Sequence, residues 1–433
     1  MNDSVSEEER ELLDAGVPLR IGPYRIVRRL SAGTTSDVYL TESVDPRGGR
    51  KKVVLKTMLA EYRRAPTFHA ALEAECDAYR RLVHPAIVPM QGVLATDEHI
   101  ALVVEWVDGL PLHTLRALLR RRKKHLDDRA AFYIASRVFS ALAAAHATRD
   151  PRGDGKDMLL HRDVNPSNVL VPWDGFAKLV DFGFASTPEK RVVNHAGFLE
   201  GTLGYMAPEQ ARGEKLTPAS DVYSASLVLW ELLARRKAFA RGHQSEADIV
   251  RAMAAPRIAS LDVLRPDVPS DVRRALRRGL YPLLSNRTLT ADEMATVLRG
   301  TVDLDQGREL LVRAMAEVRP RSEDEAQDVA LWQLPQALQE SWHLEESRPS
   351  LPSSEGDGPT EVAPKTEPMP TAPPREPRPR IADAAPPSSG LPESSSRAPT
   401  QIRRIVRVTS ASPAGSPFPA SPSTPTALRR PRP

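Results

Sequence analysis

Oxygen-bearing side chains stand at short, fixed spacings around one ten-residue stretch, His161 to Leu170, which has the sequence HRDVNPSNVL. Asp163 is a candidate proton acceptor, and Asn168, five residues later, is a candidate metal ligand. An apolar strand then leads to Asp181, eighteen residues after Asp163 and followed by Phe-Gly. Carboxylate and amide oxygens are the ligands that Mg²⁺ prefers.

Proline content limits how much of the chain can fold. About half of the 40 prolines follow residue 345, mixed with Ser, Thr, Ala and Arg. Such a stretch buries too little apolar surface to offset the entropy lost on ordering, so we expect a disordered tail. The remaining residues suffice for one large domain with a sizeable core.

Charge and cysteine content exclude several classes of protein. The net charge of +4 is small for 433 residues, which argues against nucleic acid as the main partner. The single cysteine, Cys76, excludes an intramolecular disulfide framework. No apolar run approaches the roughly 20 residues that span a bilayer. We therefore expect a cytoplasmic protein with no membrane span.

Residue patterns predict two unlike halves. From Tyr24 to Ala101 short strand-like runs alternate with turns, interrupted by one helical pattern from Phe68 to Leu82. Beyond Asp127 the pattern is mostly helical, and Asp127 and Asp128 are typical of an N-cap for a helix over 130–146. A small strand-rich half followed by a larger helical half indicates two lobes with a cleft between them.

Four further segments fall in a fixed order around the ten-residue stretch. LSAGTTSDVY (30–39) and VVLK (53–56) precede it, and GTLGYMAPE (201–209) and DVYSASLVLWELL (221–233) follow it. Together with HRDVNPSN and the Asp-Phe-Gly at Asp181, they resemble the motifs of the bacterial eukaryotic-like (Hanks-type) serine/threonine protein kinases. The similarity covers about residues 24–300, and none of the family's modules is missing.

The resemblance implies a protein kinase-like fold of the α+β class. Its small N-lobe is an antiparallel sheet with one helix (the family's helix αC), and its larger C-lobe is helical. Four parts of the chain are predicted: a flexible acidic N-terminus (1–22), the kinase domain (23–300), a helical extension (301–345) and a disordered Pro/Ser/Arg-rich tail (346–433).

The resemblance also implies an ATP site. Kinases place a G-x-G-x-x-G-x-V hairpin over the phosphates, and here only Gly33 of the three glycines is kept. Lys56 is the implied phosphate-binding lysine. Glu75, nine residues before His84-Pro85, is its implied partner, with Glu73 as a nearby competitor. The residues implied to contact ATP are Leu30, Ser31, Ala32, Gly33, Val38, Val54, Lys56, Val104, Glu105, Val107 and Leu170.

The implied catalytic group is the Asp163 carboxylate, which would accept or orient the substrate hydroxyl, while Asn168 and Asp181 would bind Mg²⁺. The family's serine/threonine members usually have lysine where this chain has Asn165. Asparagine still donates a neutral hydrogen bond towards the transferred phosphoryl group. We therefore expect a smaller loss of transition-state stabilisation than removal of the donor would cause.

The function implied by the resemblance is phosphoryl transfer from ATP to serine or threonine hydroxyls of protein substrates in cytoplasmic signalling. Pro166 and Thr202 match the serine/threonine pattern, and Arg287 stands where the family's arginine pairs with Glu209. The alternative is a pseudokinase scaffold, with or without bound ATP, that acts through protein–protein interaction. The apolar-basic segment QIRRIVRV (401–408) is a candidate docking segment for a partner, although a solvated linker is the favoured interpretation.

Overall fold

The computed structural model describes residues 12–14, 16–32, 36–44, 49–58, 76, 79–96, 99–148, 158–182, 203–239, 246–301 and 303–320. The strands between Arg20 and Glu105 form a six-stranded antiparallel sheet with the strand order β1-β2-β3-β4-β6-β5. Its strands are β1 Arg20–Ile21, β2 Tyr24–Ala32, β3 Ser36–Val44, β4 Arg50–Met58, β5 Met90–Ala95 and β6 Ile100–Glu105.

The two faces of this sheet have different surroundings because side chains alternate along each strand. One face buries Tyr39, Leu55 and Val103 in a small core together with Ile21 and Ile26. On the opposite face, Val38 of β3 lies across from Lys56 of β4, and Val54 lies across from Val104 of β6. Directly paired residues of antiparallel strands point to the same side. Val38, Val54, Lys56 and Val104 therefore share one face of the sheet.

The residues after Glu105 are mostly helical and carry a three-stranded antiparallel sheet with the order β7-β8-β9. The strands are β7 Gly109–Pro111, β8 Val169–Pro172 and β9 Lys178–Leu179. The helices are α1 Leu112–Arg121, α2 Asp128–His146, α3 Pro208–Ala211, α4 Pro218–Ala234, α5 Glu246–Ala254, α6 Leu261–Leu264, α7 Ser270–Gly279, α8 Ala291–Thr301 and α9 Leu304–Val318. The predicted α+β class is confirmed.

Helix starts follow the expected local chemistry. The Asp127 side chain accepts a hydrogen bond from the Arg129 amide at 2.9 Å, which confirms the predicted N-cap of α2. Thr217 and Ser220 form a reciprocal capping box at the start of α4, and Pro218 occupies its first turn. Of the helix predicted over 68–82, residues 76 and 79–81 are helical, Leu82 lies just past the helix end, and the others lie outside the described residues.

Helix α4 is buried on every side over most of its length and lies within the main hydrophobic core. Helix α9, within the predicted extension, adds the fully buried Leu311 and Met315 to the same core. It packs closely on α2 because residue 307 is glycine. A β-carbon at Gly307 would lie 2.5 Å from the Arg129 carbonyl oxygen. Residues of the predicted extension therefore form part of the folded unit.

Two glycines in neighbouring helices provide a matched test of this packing. Gly307→Ala should destabilise the protein by about 1–3 kcal/mol because the added methyl group overpacks the contact with α2. Gly300→Ala, in α8, should stabilise it by about 0.5–1 kcal/mol, since helical alanine costs less entropy than glycine. A β-carbon at Gly300 meets no atom within 4 Å. Denaturant unfolding measures both values, and equal effects of the two substitutions would contradict the packing of α9 on α2.

Candidate functional site

The backbone of the loop that begins at His161 is held by a buried carboxylate from α4. Asp221, in the first turn of α4 and 2% exposed, accepts hydrogen bonds from the amides of His161 at 2.9 Å and Arg162 at 2.7 Å. It also contacts His146 Nε2 of α2 at 2.8 Å. Burial acts to raise the pKa of Asp221, but its contacts with His146, His161 and the Arg162 amide produce a net lowering. The anionic form is therefore the one that holds the loop.

Two residues of the site have left-handed backbone conformations, which L-residues adopt only at a cost. Arg162 has φ of 69°, and so does Asp181. The hydrogen bond from the Arg162 amide to Asp221 offsets this cost in the loop. Phe182, directly after Asp181, is buried, with its ring centroid 4.6 Å from that of His161 and 5.3 Å from that of Tyr79. The hydrogen bond of the Arg162 amide and the ring contacts of Phe182 thus hold the backbone at both left-handed residues.

The Asp163 carboxylate is held at both oxygens. Asn165 Nδ2 donates to Oδ1 at 2.9 Å, and Asn168 Nδ2 donates to Oδ2 at 2.9 Å. The same two amide groups also donate to the Asp163 carbonyl oxygen, at 3.2 Å and 2.8 Å. Two hydrogen bonds therefore fix the orientation of the Asp163 carboxylate, and two more hold its backbone carbonyl.

These contacts change the interpretation of Asn165. Both N–H bonds of its amide are used on Asp163, its Oδ1 accepts from the Ser167 amide at 2.8 Å, and the residue is 2% exposed. No donor is left to reach a phosphoryl group unless a bond to Asp163 breaks. In this arrangement the Asn165 amide is directed at the neighbouring carboxylate, and its donation towards a phosphoryl group stays a prediction.

The surroundings of Asp163 favour its protonated form. Burial, followed by the nearby charge of Asp181, raises the pKa of Asp163 to about 7, while the hydrogen bonds from Asn165 and Asn168 and the charge of Lys56 act in the opposite direction. A carboxylate whose pKa lies near neutral pH can both accept and release a proton under ordinary conditions.

Lys56 of β4 forms an ion pair with Asp181 Oδ1 across the cleft between the sheet and the helical half. The predicted partner, Glu75, and its competitor, Glu73, lie outside the described residues. The Lys56–Asp181 pair brings together two residues that are 125 positions apart in the chain. The sequence placed both in one site but did not predict their direct contact.

The oxygens of Asn168 and Asp181 suit a hard divalent cation. The Asn168 amide nitrogen is directed at Asp163, so its carbonyl oxygen is the end that remains for a ligand. The Asn168 backbone oxygen accepts from the Val180 amide at 2.9 Å, which places Asp181 beside Asn168. No group of three or more His, Cys, Asp or Glu side chains in the described part of the chain forms a metal site. Mg²⁺ needs only one or two protein oxygens when phosphates and water complete its shell, so this donor set fits.

Apolar residues predicted to contact a nucleotide base converge in the same region. Val104, Val107 and Leu170 form a cluster with Val88 and Val180, two residues that sequence reasoning missed. Their signal was weak, since each is a single valine in a short apolar run. Of the residues predicted to cover the phosphates, Leu30 is 6% exposed and Ser31 pairs with Val38 in the sheet. Ala32 ends β2, and Gly33 lies outside the described residues.

The backbone amide and the carboxylate of Glu105 both have partners within the protein. Its amide donates to the Pro89 carbonyl at 3.1 Å, and its carboxylate forms an ion pair with Lys178 at 2.6 Å. The amide of Glu105 is therefore not available to a ligand. The role of each predicted site residue stays a prediction, because the structure gives only their positions.

The predicted pair of Glu209 and Arg287 is confirmed. The two side chains are 0% exposed and form a bidentate contact, with Nη1 donating to Oε1 at 2.6 Å and Nη2 donating to Oε2 at 3.1 Å. Arg287 also donates to the carbonyl oxygens of Tyr281 and Ala219. A buried pair of this kind is tolerated because each charge is matched and hydrogen-bonded. The pair joins helix α3, which contains Glu209, to the connection between α7 and α8, which contains Arg287.

Comparison with known proteins gives matches over the same region. Residues 24–305 match the family model described as the protein kinase domain. The tyrosine-protein kinase MasK of Myxococcus xanthus is 27% identical over 277 residues, which cover 64% of this chain and 42% of that protein. The serine/threonine-protein kinase PknH of Mycobacterium tuberculosis is 29% identical over 310 residues, covering 71% and 47%. This chain thus spans about half the length of these curated relatives.

Among solved structures, the kinase domain of Mycobacterium tuberculosis PknI is 25% identical, with a TM-score of 0.47, and the match covers 65% of this chain and 96% of that one. Within the described residues, no helix has both the length and the apolar character needed to cross a membrane.

Replacing Asp163 by asparagine should stabilise the protein in a pH-dependent way. Its pKa of about 7 lies above the ordinary value of 3.8, so ionising the folded state costs free energy that is absent at low pH and complete above neutral pH. The full shift corresponds to at most about 4 kcal/mol, and the acceptor oxygen lost in Asp163→Asn reduces the gain. Denaturant unfolding without nucleotide or metal should show a larger gain at pH 8 than at pH 5. A gain that is independent of pH, or is equalled by the exposed-site control Asp14→Asn, would contradict this.

Proposed function

The chain belongs to the protein kinase family, and on that premise we propose that it is an active kinase that transfers the γ-phosphoryl group of ATP to serine or threonine hydroxyls of proteins. The observation that carries the proposal is the Asp163 carboxylate, fixed at both oxygens by Asn165 and Asn168. A carboxylate held in this way beside a lysine and a second aspartate is suited to accept a hydroxyl proton.

Each described residue of the site would have its own role in the reaction. Asp163 orients the acceptor hydroxyl and takes its proton, helped by a pKa near neutral. Lys56 provides a fixed positive charge for the phosphates from β4. Asn168 and Asp181 would hold Mg²⁺, which supplies positive charge between phosphate oxygens when bound. Val104, Val107 and Leu170 would cover an apolar base.

The acceptor residue and the setting belong to the proposal. Pro166 and Thr202 favour serine or threonine, and Thr202 lies outside the described residues. The relatives include proteins named as serine/threonine kinases and one named as a tyrosine kinase. A cytoplasmic setting is supported by the single cysteine, Cys76, which is buried and cannot form an intramolecular disulfide.

Analysis of the labelled phosphoamino acids identifies which type of hydroxyl accepts the phosphate. The purified chain incubated with Mg²⁺ and [γ-³²P]ATP should label itself or a generic protein substrate, and acid hydrolysis should release labelled phosphoserine or phosphothreonine. Lys56→Met and Asp163→Asn should remove the label. Labelled phosphotyrosine would contradict the acceptor assignment. A silent wild type that still binds ATP would favour the pseudokinase scaffold instead.

Asn165→Ala tests how the carboxylate is held. Loss of the hydrogen bond from Asn165 to the charged Asp163 should lower kcat by about 10–100-fold, since such bonds contribute about 1.5–3 kcal/mol. KM for ATP should change little, because the Asn165 amide has no donor left for the nucleotide. Steady-state kinetics measures both parameters.

Ser167→Ala serves as the control for Asn165→Ala, since it keeps the backbone amide that contacts Asn165 and removes only an exposed hydroxyl. A rise in KM for ATP at unchanged kcat in Asn165→Ala would mean that Asn165 contacts the nucleotide after all.

A further inference from the structure

Six consecutive basic residues, Arg120 to His125, end helix α1 and form the turn that follows it. Residues 121–125 are all exposed. None of the functions proposed for the cleft uses them.

The turn is built in a conformation that suits glycine better than lysine. The Lys124 amide donates to the Leu119 carbonyl at 2.9 Å and the Lys123 amide donates to the Arg120 carbonyl at 2.7 Å, which is the pattern of a Schellman motif. Lys123 is left-handed, with φ of 56°. Helix α4 also ends at a left-handed basic residue, Arg235, with φ of 57°.

The two helix ends lie together. Arg120, Lys124, His125 and Arg235 line one pocket at the surface of the helical half. Burial, followed by the charges of Arg235, Arg120 and Arg116, lowers the pKa of His125. Part of this lowering of the His125 pKa therefore comes from the neighbouring positive charges.

Some of these cations have partners and others do not. Lys124 pairs with Glu317 at 3.0 Å and Arg235 lies 3.5 Å from Asp128. In contrast, Arg121, Arg122 and Lys123 have no ion-pair partner among the residues that the structure describes. These three side chains form a basic surface, defined here as Arg121, Arg122 and Lys123, that is open to an acidic ligand.

The chain itself has an acidic segment a few residues after Glu317. Glu317, which pairs with Lys124, is in the last turn of α9, and the described residues end at Pro320. Glu323, Asp324, Glu325 and Asp328 follow almost at once. Six residues separate Glu317 from Glu323, so an extended chain can reach at most about 20 Å from the Lys124 contact. A tether this short gives an effective concentration near the millimolar range, which no free acidic peptide would match at ordinary levels.

We propose that the acidic segment 323–328 docks on the basic surface of Arg121, Arg122 and Lys123, and so holds the start of the C-terminal region against the end of α1. The Lys124–Glu317 ion pair begins this contact, and the acidic segment continues it. The contact is independent of whether the cleft transfers phosphate. Because the pairs are exposed, it should weaken as salt rises.

Carbodiimide cross-linking of the full-length chain tests the proposal, since it joins lysine amines only to carboxylates in direct contact. Mass spectrometry should find Lys123 or Lys124 joined to Glu323, Asp324, Glu325 or Asp328, and the yield should fall several-fold in 1 M salt. The Lys124–Glu317 link is the positive control. Its appearance without any link to the acidic segment would overturn the proposal. An equal mixture of ¹⁴N- and ¹⁵N-labelled chains identifies links between two copies, and mixed-isotope links would overturn it in favour of a second copy as occupant.

Charge reversal gives a second, independent readout. Hydrogen exchange at residues 321–330 should become faster in the triple variant Arg121→Glu, Arg122→Glu, Lys123→Glu. It should slow again when Glu323→Lys, Asp324→Lys and Glu325→Lys are added. The matched control is the cationic run on β4, Arg50→Glu, Lys51→Glu, Lys52→Glu, whose residues are also exposed. Equal acceleration in the control, or no recovery in the swapped chain, would show that net charge and not docking sets the exchange rate.

Discussion

The buried Asp221 carboxylate is the contact on which the arrangement of the site depends. It lies in the first turn of α4, a helix surrounded by core residues, and it accepts hydrogen bonds from two successive amides of the loop at His161. Removing a buried anion from its three partners leaves unpaired polar groups on both sides. The left-handed conformation of Arg162 persists because this contact holds it, and the position of Asp163 follows from that conformation.

Hydrogen bonds and an ion pair connect Asp163 to the six-stranded sheet. Asn168 holds the Asp163 carboxylate and, through its backbone oxygen, the Val180 amide just before Asp181. Asp181 pairs with Lys56 on the face of the sheet that also presents Val54 and Val104. Burial and like charge keep the Asp163 pKa near neutral, while the Lys56 charge and the amide donors limit the shift. The same contacts that join the two halves of the fold thus set the electrostatics of the cleft.

Much of this could be predicted from the sequence, because motif spacing and strand alternation are local. The N-cap at Asp127 follows from residue patterns. The grouping of Lys56, Asp163, Asn168 and Asp181 in one site, and the Glu209–Arg287 pair, were implied by the resemblance to the protein kinases. The direction of the Asn165 amide could not be predicted, since it depends on which acceptor lies within reach of a short side chain. The Lys56–Asp181 contact, the valines at 88 and 180, and the packing of α9 against α2 through Gly307 arise only when distant segments meet.

The central claim is that a fixed Asp163 carboxylate makes this cleft a phosphoryl-transfer site and not only a nucleotide-binding one. Calorimetric ATP affinity, measured beside the transfer rate in wild type and Asp163→Asn, tests this most directly. We expect both proteins to bind Mg²⁺-ATP with similar affinity and only wild type to transfer phosphate. Equal transfer rates in the two proteins, or ATP binding by wild type with no transfer to any protein hydroxyl, would contradict the claim.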